Sequence, residues 1–204
     1  MKEELAAIKA WLGQGSVNIF GMPFAGKDTQ GEALADLLGA ELLGGGKILR
    51  NSVIPTHVQE IMEAGGLIPV DDYLRIVLPY LGHEQFSGRP LMLSSVGRWD
   101  GEQHGVLQAT EASGHPLKAV LLLTVSEDTA RQRHTESVAR GDRGPRADDN
   151  EDLFTVRINE YQTKTLPVIE FYKKHGLLCE VDGSPEPPEV TNAILQKLSA
   201  LASV

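Results

Sequence analysis

The segment Gly21-Met22-Pro23-Phe24-Ala25-Gly26-Lys27-Asp28-Thr29-Gln30 has the spacing G-x-x-x-x-G-K and sits between two segments of different periodicity. Ahead of it runs Ser16-Val17-Asn18-Ile19-Phe20, short, apolar and β-branched. Behind it runs Gly31 to Leu38, a helical pattern closed by Gly39. A strand that turns through glycines into a helix leaves few folds open to the chain. The loop N–H groups curl around polyphosphate oxygens, and the helix N-terminus adds partial positive charge. Gly21 and Gly26 let the backbone approach closely, and Lys27 places a mobile cation on the outer phosphates. One residue departs from the usual pattern. Asp28 stands where a Ser or Thr commonly helps hold Mg²⁺, and Thr29 follows one position later. A carboxylate beside a polyphosphate is repulsive unless a metal lies between them.

Strand-like runs recur at 17–20, 42–43, 91–94, 118–125 and 177–181, with helical patterns between them. This alternation predicts an α/β fold of the P-loop NTPase type: three layers, with a five-stranded parallel sheet between helices. Ligands of such folds sit at the carboxyl ends of the strands. Leu5, Ile8 and Leu12, with Trp11 alongside, predict an additional amphipathic helix within residues 1–16 that packs on the domain's own surface. Residues 44–88 hold more material than a crossover needs and read as an inserted helical subdomain. Within it, helices are expected at 48–52, 57–64 and 71–81, with Asp71 as N-cap. The stretch Gly183 to Glu189 reads as a connection into a last helix over 190–201.

Net charge is −9, which argues against a nucleic-acid or anionic-membrane partner, because either calls for a basic face. The longest apolar stretch, Ala119 to Leu123, is too short to span a bilayer, and the mixed charge of Met1 to Leu5 does not resemble a secretion signal. Cys179, the single cysteine, excludes an internal disulfide, fits a cytoplasmic setting and reads as a buried, inert thiol.

In so acidic a chain the placement of arginines is informative. A Gly/Pro-rich basic loop, Arg140-Gly141-Asp142-Arg143-Gly144-Pro145-Arg146, runs into acidic residues at the start of a helix bearing Leu153, Val156, Ile158 and Tyr161, with Arg157 facing elsewhere. Phosphoryl transfer needs cations placed around a charge-rich transition state, and planar guanidinium groups suit phosphate oxygens.

Taken in order, these segments resemble the adenylate kinase family and, more broadly, nucleoside monophosphate kinases. Gly21-x-Pro23-x-Ala25-Gly26-Lys27-x-Thr29-Gln30 is similar to the family's G-x-P-G-A-G-K-G-T-Q loop, Ile48-Leu49-Arg50 to the end of its acceptor motif, and Gly97-Arg98 to the end of its D-G-F/Y-P-R motif. Arg140-Gly141, Arg146, Asp148 to Glu151 and Arg157 follow its lid arginines in spacing, and Val181-Asp182-Gly183 its donor-base segment. The resemblance implies ATP held by Gly21, Ala25, Gly26, Lys27, Asp28, Thr29, Arg133 and Arg140. It implies an acceptor monophosphate clamped by Arg50 and Arg98, with Gln103 near its base. Lys27, Arg98, Arg140, Arg146 and Arg157 become the catalytic cations, and Mg²⁺ the cofactor beside ATP. The lid, 140–147, takes the short form without a zinc insertion. A monomer acting on nucleotides is expected.

The departures cluster. Phe24 and Asp28 replace glycines, Gly44-Gly45-Gly46-Lys47 replaces S-T-G-D, and Ser94 replaces the aspartate that organises Mg²⁺ through water. Glu102 occupies the position of the base-reading glutamine, with Gln103 next to it. Glu136 replaces the arginine that stacks on the donor base, leaving Arg133 a turn earlier as the substitute. Asp28, through water, is thus the candidate for the displaced metal-organising acid. Three readings follow: transfer from ATP to AMP, transfer to UMP, CMP or another small phosphate, or a nucleotide-binding regulator without efficient transfer.

Overall fold

A computed structural model describes residues 2–50, 52–141 and 150–203. Helix α1 (Lys2–Leu12) precedes β1 (Ser16–Gly21), α2 (Lys27–Leu38) and β2 (Glu41–Gly44). Helices α3 (Gly45–Arg50), α4 (Thr56–Glu63) and α5 (Val70–Ile76) and two short 3₁₀ turns lead to β3 (Leu91–Ser94). Then follow α6 (Glu102–Ala112), β4 (Leu117–Thr124), α7 (Glu127–Arg140), α8 (Glu151–Glu160), α9 (Leu166–Lys174), β5 (Leu178–Asp182) and α10 (Pro187–Ala202). The five strands are parallel in the order β2-β3-β1-β4-β5. Chain direction across the sheet changes at β1, so the crevice lies beyond the carboxyl ends of β1 and its neighbours.

Every residue of β1 is buried, because helices cover both faces of the sheet. Ile19, Leu121 and Leu34 join one core with Ile8 and Leu12 of α1 and Ile194 and Leu198 of α10. Each such side chain contributes roughly 1.5–3 kcal/mol on burial. The N-terminal helix therefore packs on the domain itself. A second core holds Val58, Tyr73, Val77 and Leu81 of the 45–88 segment against β3 and α6. Among the described residues, no helix is long and apolar enough to cross a membrane.

Several sequence expectations need correction. Helix α5 has Pro69 as N-cap with no side-chain cap, and Asp71 lies in its first turn. The helix begins at Val70, ahead of Asp71, so that carboxylate lies inside the first turn, where the helix dipole favours it. The helix expected over 71–81 breaks after Ile76 and resumes as a 3₁₀ turn, Leu78–Gly82, at Pro79. The last helix starts at Pro187, inside the expected connection, because Glu186 and Glu189 form a capping box. Helix α8 buries Phe154 and Ile158, whereas Val156 is exposed. Cys179 is half-buried, with desolvation raising its thiol pKa.

Candidate functional site

A cleft of about 1070 Å³ opens along the carboxyl ends of the strands. That exceeds the roughly 300–1,000 Å³ of a single small-molecule pocket. Its walls carry Lys27, Arg50, Arg98, Arg133, Arg140 and Arg157, gathered from five separate parts of the chain. Arg146 lies outside the described residues, as does the lid loop beyond Gly141.

The glycine loop forms one end of the cleft. Gly21 has φ 154°, and a Cβ there would lie 2.7 Å from the Leu123 carbonyl, so no side chain fits. Gly26 caps α2 in the left-handed region at φ 93°. Lys27 opens α2, and its ammonium donates to the Met22 carbonyl at 2.8 Å across the loop. Gly21, Ala25, Asp28 and Thr29 all line the cleft, with Asp28 and Thr29 exposed to it. The Ser94 hydroxyl at the end of β3 donates to Asp28 Oδ1 at 2.8 Å. The loop carboxylate and the strand-end hydroxyl thus share one place.

Arg98 hangs on a short loop after β3 that is held from three sides. Asn18, in the middle of buried β1, donates to the Val96 carbonyl at 2.7 Å and accepts from the Val96 N–H at 3.2 Å. Ser95, at φ 53°, donates its N–H to the Ile19 carbonyl at 3.0 Å. The Tyr73 hydroxyl accepts the Gly97 N–H at 2.7 Å. The buried amide and phenol are therefore satisfied and set the direction from which Arg98 enters the cleft. Desolvation, then the nearby Arg157, lowers the pKa of Arg98.

Two glycines make room on the Arg50 side. A Cβ at Gly45 would lie 3.1 Å from the Tyr73 hydroxyl, and one at Gly46 would lie 3.3 Å from the Arg50 guanidinium. Arg133 lies on the glycine-loop side, where a Cβ at Gly183 would be 3.1 Å from the Ala25 carbonyl. It donates to the carbonyls of Gly183 and Ser184 at 2.9 and 3.0 Å, tying α7 to the loop after β5. Arg140 pairs with Glu136 at 3.8 Å on α7. Gln30 bridges α2 to α10, donating to the Pro187 carbonyl at 2.9 Å and accepting from Thr191 at 2.7 Å.

Gln103 is not in the cleft wall. Its side chain is buried, accepting from the Gly101 N–H at 2.7 Å and donating to Asp100 at 3.0 Å, which stabilises the turn before α6. Glu102 lines the cleft instead. Both residues are buried in the first turn of α6, and the hydrogen bonds to Gly101 and Asp100 draw the Gln103 side chain away from the cleft.

The adenylate kinase family model matches residues 19–177. The chain is 31% identical over 185 residues to the adenylate kinase of Kocuria rhizophila, covering 88% of this chain and 96% of that one. It is 33% identical over 181 residues to that of Thermus thermophilus, covering 86% and 92% respectively. It is 33% identical over 193 residues to that of Deinococcus radiodurans, covering 88% and 94%.

The chain belongs to the adenylate kinase family.

It is an adenylate kinase-like nucleoside monophosphate kinase, and its departures from the family can be placed physically. Phe24, where the family has glycine, adopts φ 62°, a left-handed conformation that costs a bulky residue energy. Its ring meets His134 edge-on at 5.0 Å and Phe154 at 5.7 Å; His134 and Phe154 stack at 4.7 Å, and the Arg131 guanidinium lies 5.1 Å from the Phe154 ring. The phosphate loop is thereby packed onto α7 and α8. Nothing in the sequence singled out this cluster, because its members are 110 or more positions apart or on different helices. Asn18 did leave a signal: an amide in the middle of an apolar strand must find buried partners. Helix α8 ends in a π-turn, Tyr161–Thr165, ahead of Pro167, and Tyr161 and Thr165 line the cleft.

Proposed function

We propose that the enzyme transfers the γ-phosphoryl of ATP to AMP, yielding two ADP. The observation that carries this reading is the convergence of Lys27, Arg50, Arg98, Arg140 and Arg157 on one cleft in a chain of net charge −9. Five cations in one concavity match two polyanionic substrates brought together, which a single-nucleotide binding module does not require.

In this reading Lys27 and the loop amides hold the donor phosphates, with Gly21, Ala25, Gly26 and Thr29 shaping the cradle. Arg133 and the loop it braces border the donor base. Arg50 and Arg98 hold the acceptor phosphate, and Arg140, Arg146 and Arg157 close on the transferring group. An acceptor phosphate oxygen forms the new P–O bond as the bond from the γ-phosphorus to the β,γ-bridging oxygen breaks, and the bridging oxygen leaves on ADP. The cations neutralise charge on the equatorial oxygens and hold the reacting atoms in line.

The donor set suits Mg²⁺. The Asp28 carboxylate, with the Ser94 and Thr29 hydroxyls nearby in the cleft, supplies hard oxygens, and Mg²⁺ keeps several waters beside one or two carboxylates and substrate phosphates. When bound, Mg²⁺ supplies charge neutralisation between the donor phosphates. Asp28 would orient its water shell, a role that puts the acid on the loop and not on β3.

A coupled assay with ATP, Mg²⁺ and a panel of monophosphates tests the reading. Turnover of AMP is the expected outcome. Turnover confined to UMP or CMP would reassign the acceptor, and binding without turnover would overturn the reading.

A further inference from the structure

Two of the cleft cations stand close together. After desolvation, it is the charge of Arg157 that lowers the pKa of Arg98. Like charges at short range push apart unless the backbone beneath each is held. Hydrogen bonds at Val96 and Gly97 tie the Arg98 loop to β1 and α5. A second tie runs to the helix that carries Arg157. The Lys164 ammonium lies 4.0 Å from the centre of the Trp99 ring and pairs with the Glu160 carboxylate at 2.7 Å. Trp99 follows Arg98 directly, and its N–H donates to Glu102 Oε2 at 3.0 Å. Glu160 stands one turn after Arg157 on the same face of α8, and both line the cleft. Neither Lys164 nor Trp99 does, so the pair lies behind the wall.

We propose that Lys164 and Trp99 form a positioning clip for phosphoryl transfer: the clip fastens the loop that presents Arg98 to the helix end that presents Arg157, and so sets the spacing at which the two guanidinium groups meet one phosphoryl group. The proposal rests on reading Arg98 and Arg157 as cations of the transfer reaction. Lys164 and Trp99 are positioning residues, each acting through an arginine. Glu160 serves twice. Its carboxylate anchors the Lys164 ammonium and, with Tyr73 and Glu102, opposes the lowering at Arg98.

The local chemistry suits a tie of this kind. Among aromatic rings, indole attracts a cation most strongly. The side chains of Lys164 and Glu160 are 25% and 21% exposed, so solvent screens their contacts less than at an open surface, where an ion pair contributes little. Lys164 belongs to the π-turn Tyr161–Thr165, and such turns recur at functional sites. The transferring phosphoryl spreads its charge over three equatorial oxygens, so the cations around it act only from defined positions. A misplacement of about 1 Å costs up to about 100-fold in rate.

The test is steady-state kinetics of the full-length enzyme with ATP, Mg²⁺ and AMP. Lys164→Met keeps the apolar stem and removes the charge. It should lower kcat about tenfold or more while KM for ATP changes less than about twofold, the split expected when only transition-state contacts are lost. Lys164→Arg restores a cation over the ring and should recover most of kcat. Trp99→Leu should match Lys164→Met, and the double variant should lose no more than either single one, because each removes the same contact. In an Arg98→Met enzyme, adding Lys164→Met should cost nothing further in kcat, since the clip acts through that arginine. An unchanged kcat in Lys164→Met, even with a lower Tm, overturns the clip and leaves the kinase reading intact. So does a loss that persists in Lys164→Arg, or additive losses in the double variant. Absence of turnover by the unsubstituted enzyme with every monophosphate overturns both.

Discussion

The Ser94 hydroxyl at the end of β3 donates to the Asp28 carboxylate on the phosphate loop at 2.8 Å. Two departures from the family therefore meet in one place, and under the proposed function the loop acid organises Mg²⁺ while the strand-end hydroxyl orients that acid. Replacing Asp28 by Ala should lower turnover by about 10–100-fold and raise the Mg²⁺ concentration needed for half-maximal rate, as loss of a partner that orients a metal's shell does. The double variant Asp28→Gly with Ser94→Asp should recover much of the loss. Mg²⁺ titrations of initial rate decide it, and an unchanged Mg²⁺ requirement in Asp28→Ala would sink the idea.

Phe24 sets aromatic packing against backbone strain. Phe24→Ala should destabilise the protein by roughly 1–3 kcal/mol, because contacts with His134 and Phe154 go while a Cβ remains at φ 62°. Phe24→Gly loses the same contacts but relieves the left-handed conformation, so it should exceed Phe24→Ala in stability by about 1 kcal/mol. Denaturant melts of the pair measure this, and equal midpoints would remove strain from the account.

Asn18 links the sheet to Arg98. Asn18→Ala leaves the buried N–H and carbonyl of Val96 without their partner. The expected cost is roughly 2–4 kcal/mol, with Tm lower by about 5–15 °C. Arg98 loses its fixed approach as well, so KM for the acceptor should rise more than KM for ATP. A variant that melts early but keeps both KM values would show that the amide serves stability alone.

Arg133 braces the loop after β5 through two carbonyls. Arg133→Met keeps most of the stem's packing but removes the charged donor, a hydrogen-bonding contribution of about 1.5–3 kcal/mol per bond at most. KM for ATP should rise several-fold while KM for the acceptor holds. Equal effects on both substrates would place Arg133 elsewhere in the mechanism.

The Glu102 carboxyl titrates higher in the folded state than the ordinary 4.5, at about 7. An acid with a raised folded pKa takes up protons on folding, so stability falls as pH rises between those two values. Below the lower value the penalty is absent, and above the upper one it is fully present. Relative to Glu102→Gln, the unsubstituted protein should therefore lose on the order of 1–3 kcal/mol between about pH 4.5 and about pH 8. Thermal melts across that range check the sign, and a difference that grows in the other direction would refute the burial argument.

Much of this was legible along the chain. The five strands, the glycine loop and the surplus material after β2 follow from local periodicity and turn chemistry. Lys27 was identifiable from its glycine loop and Arg140 from its basic loop, Arg50, Arg98 and Arg157 through the family resemblance, and all five line the cleft. The choice between Glu102 and Gln103 was not legible. Both stand buried at the entry of α6, and only the hydrogen bonds of Gln103 to the turn at Asp100 and Gly101 set it apart from Glu102, which lines the cleft. The helix expected to begin with Asp71 failed for a local reason, since Pro69 had already set its entry.

By itself, then, the sequence determined the order of elements and the phosphate chemistry, because periodicity, glycine placement and charge are properties of neighbours in the chain. It singled out Asp28 and Ser94 as departures 66 positions apart. Only the parallel register of β1 and β3, which aligns Ile19 with Ser94 and so brings the strand end to the loop that follows Gly21, decided that they meet. Hydrogen bonds form between atoms about 3 Å apart whatever their separation in sequence. The same folding joined Phe24 to His134 and Phe154, and Asn18 to the loop that presents Arg98.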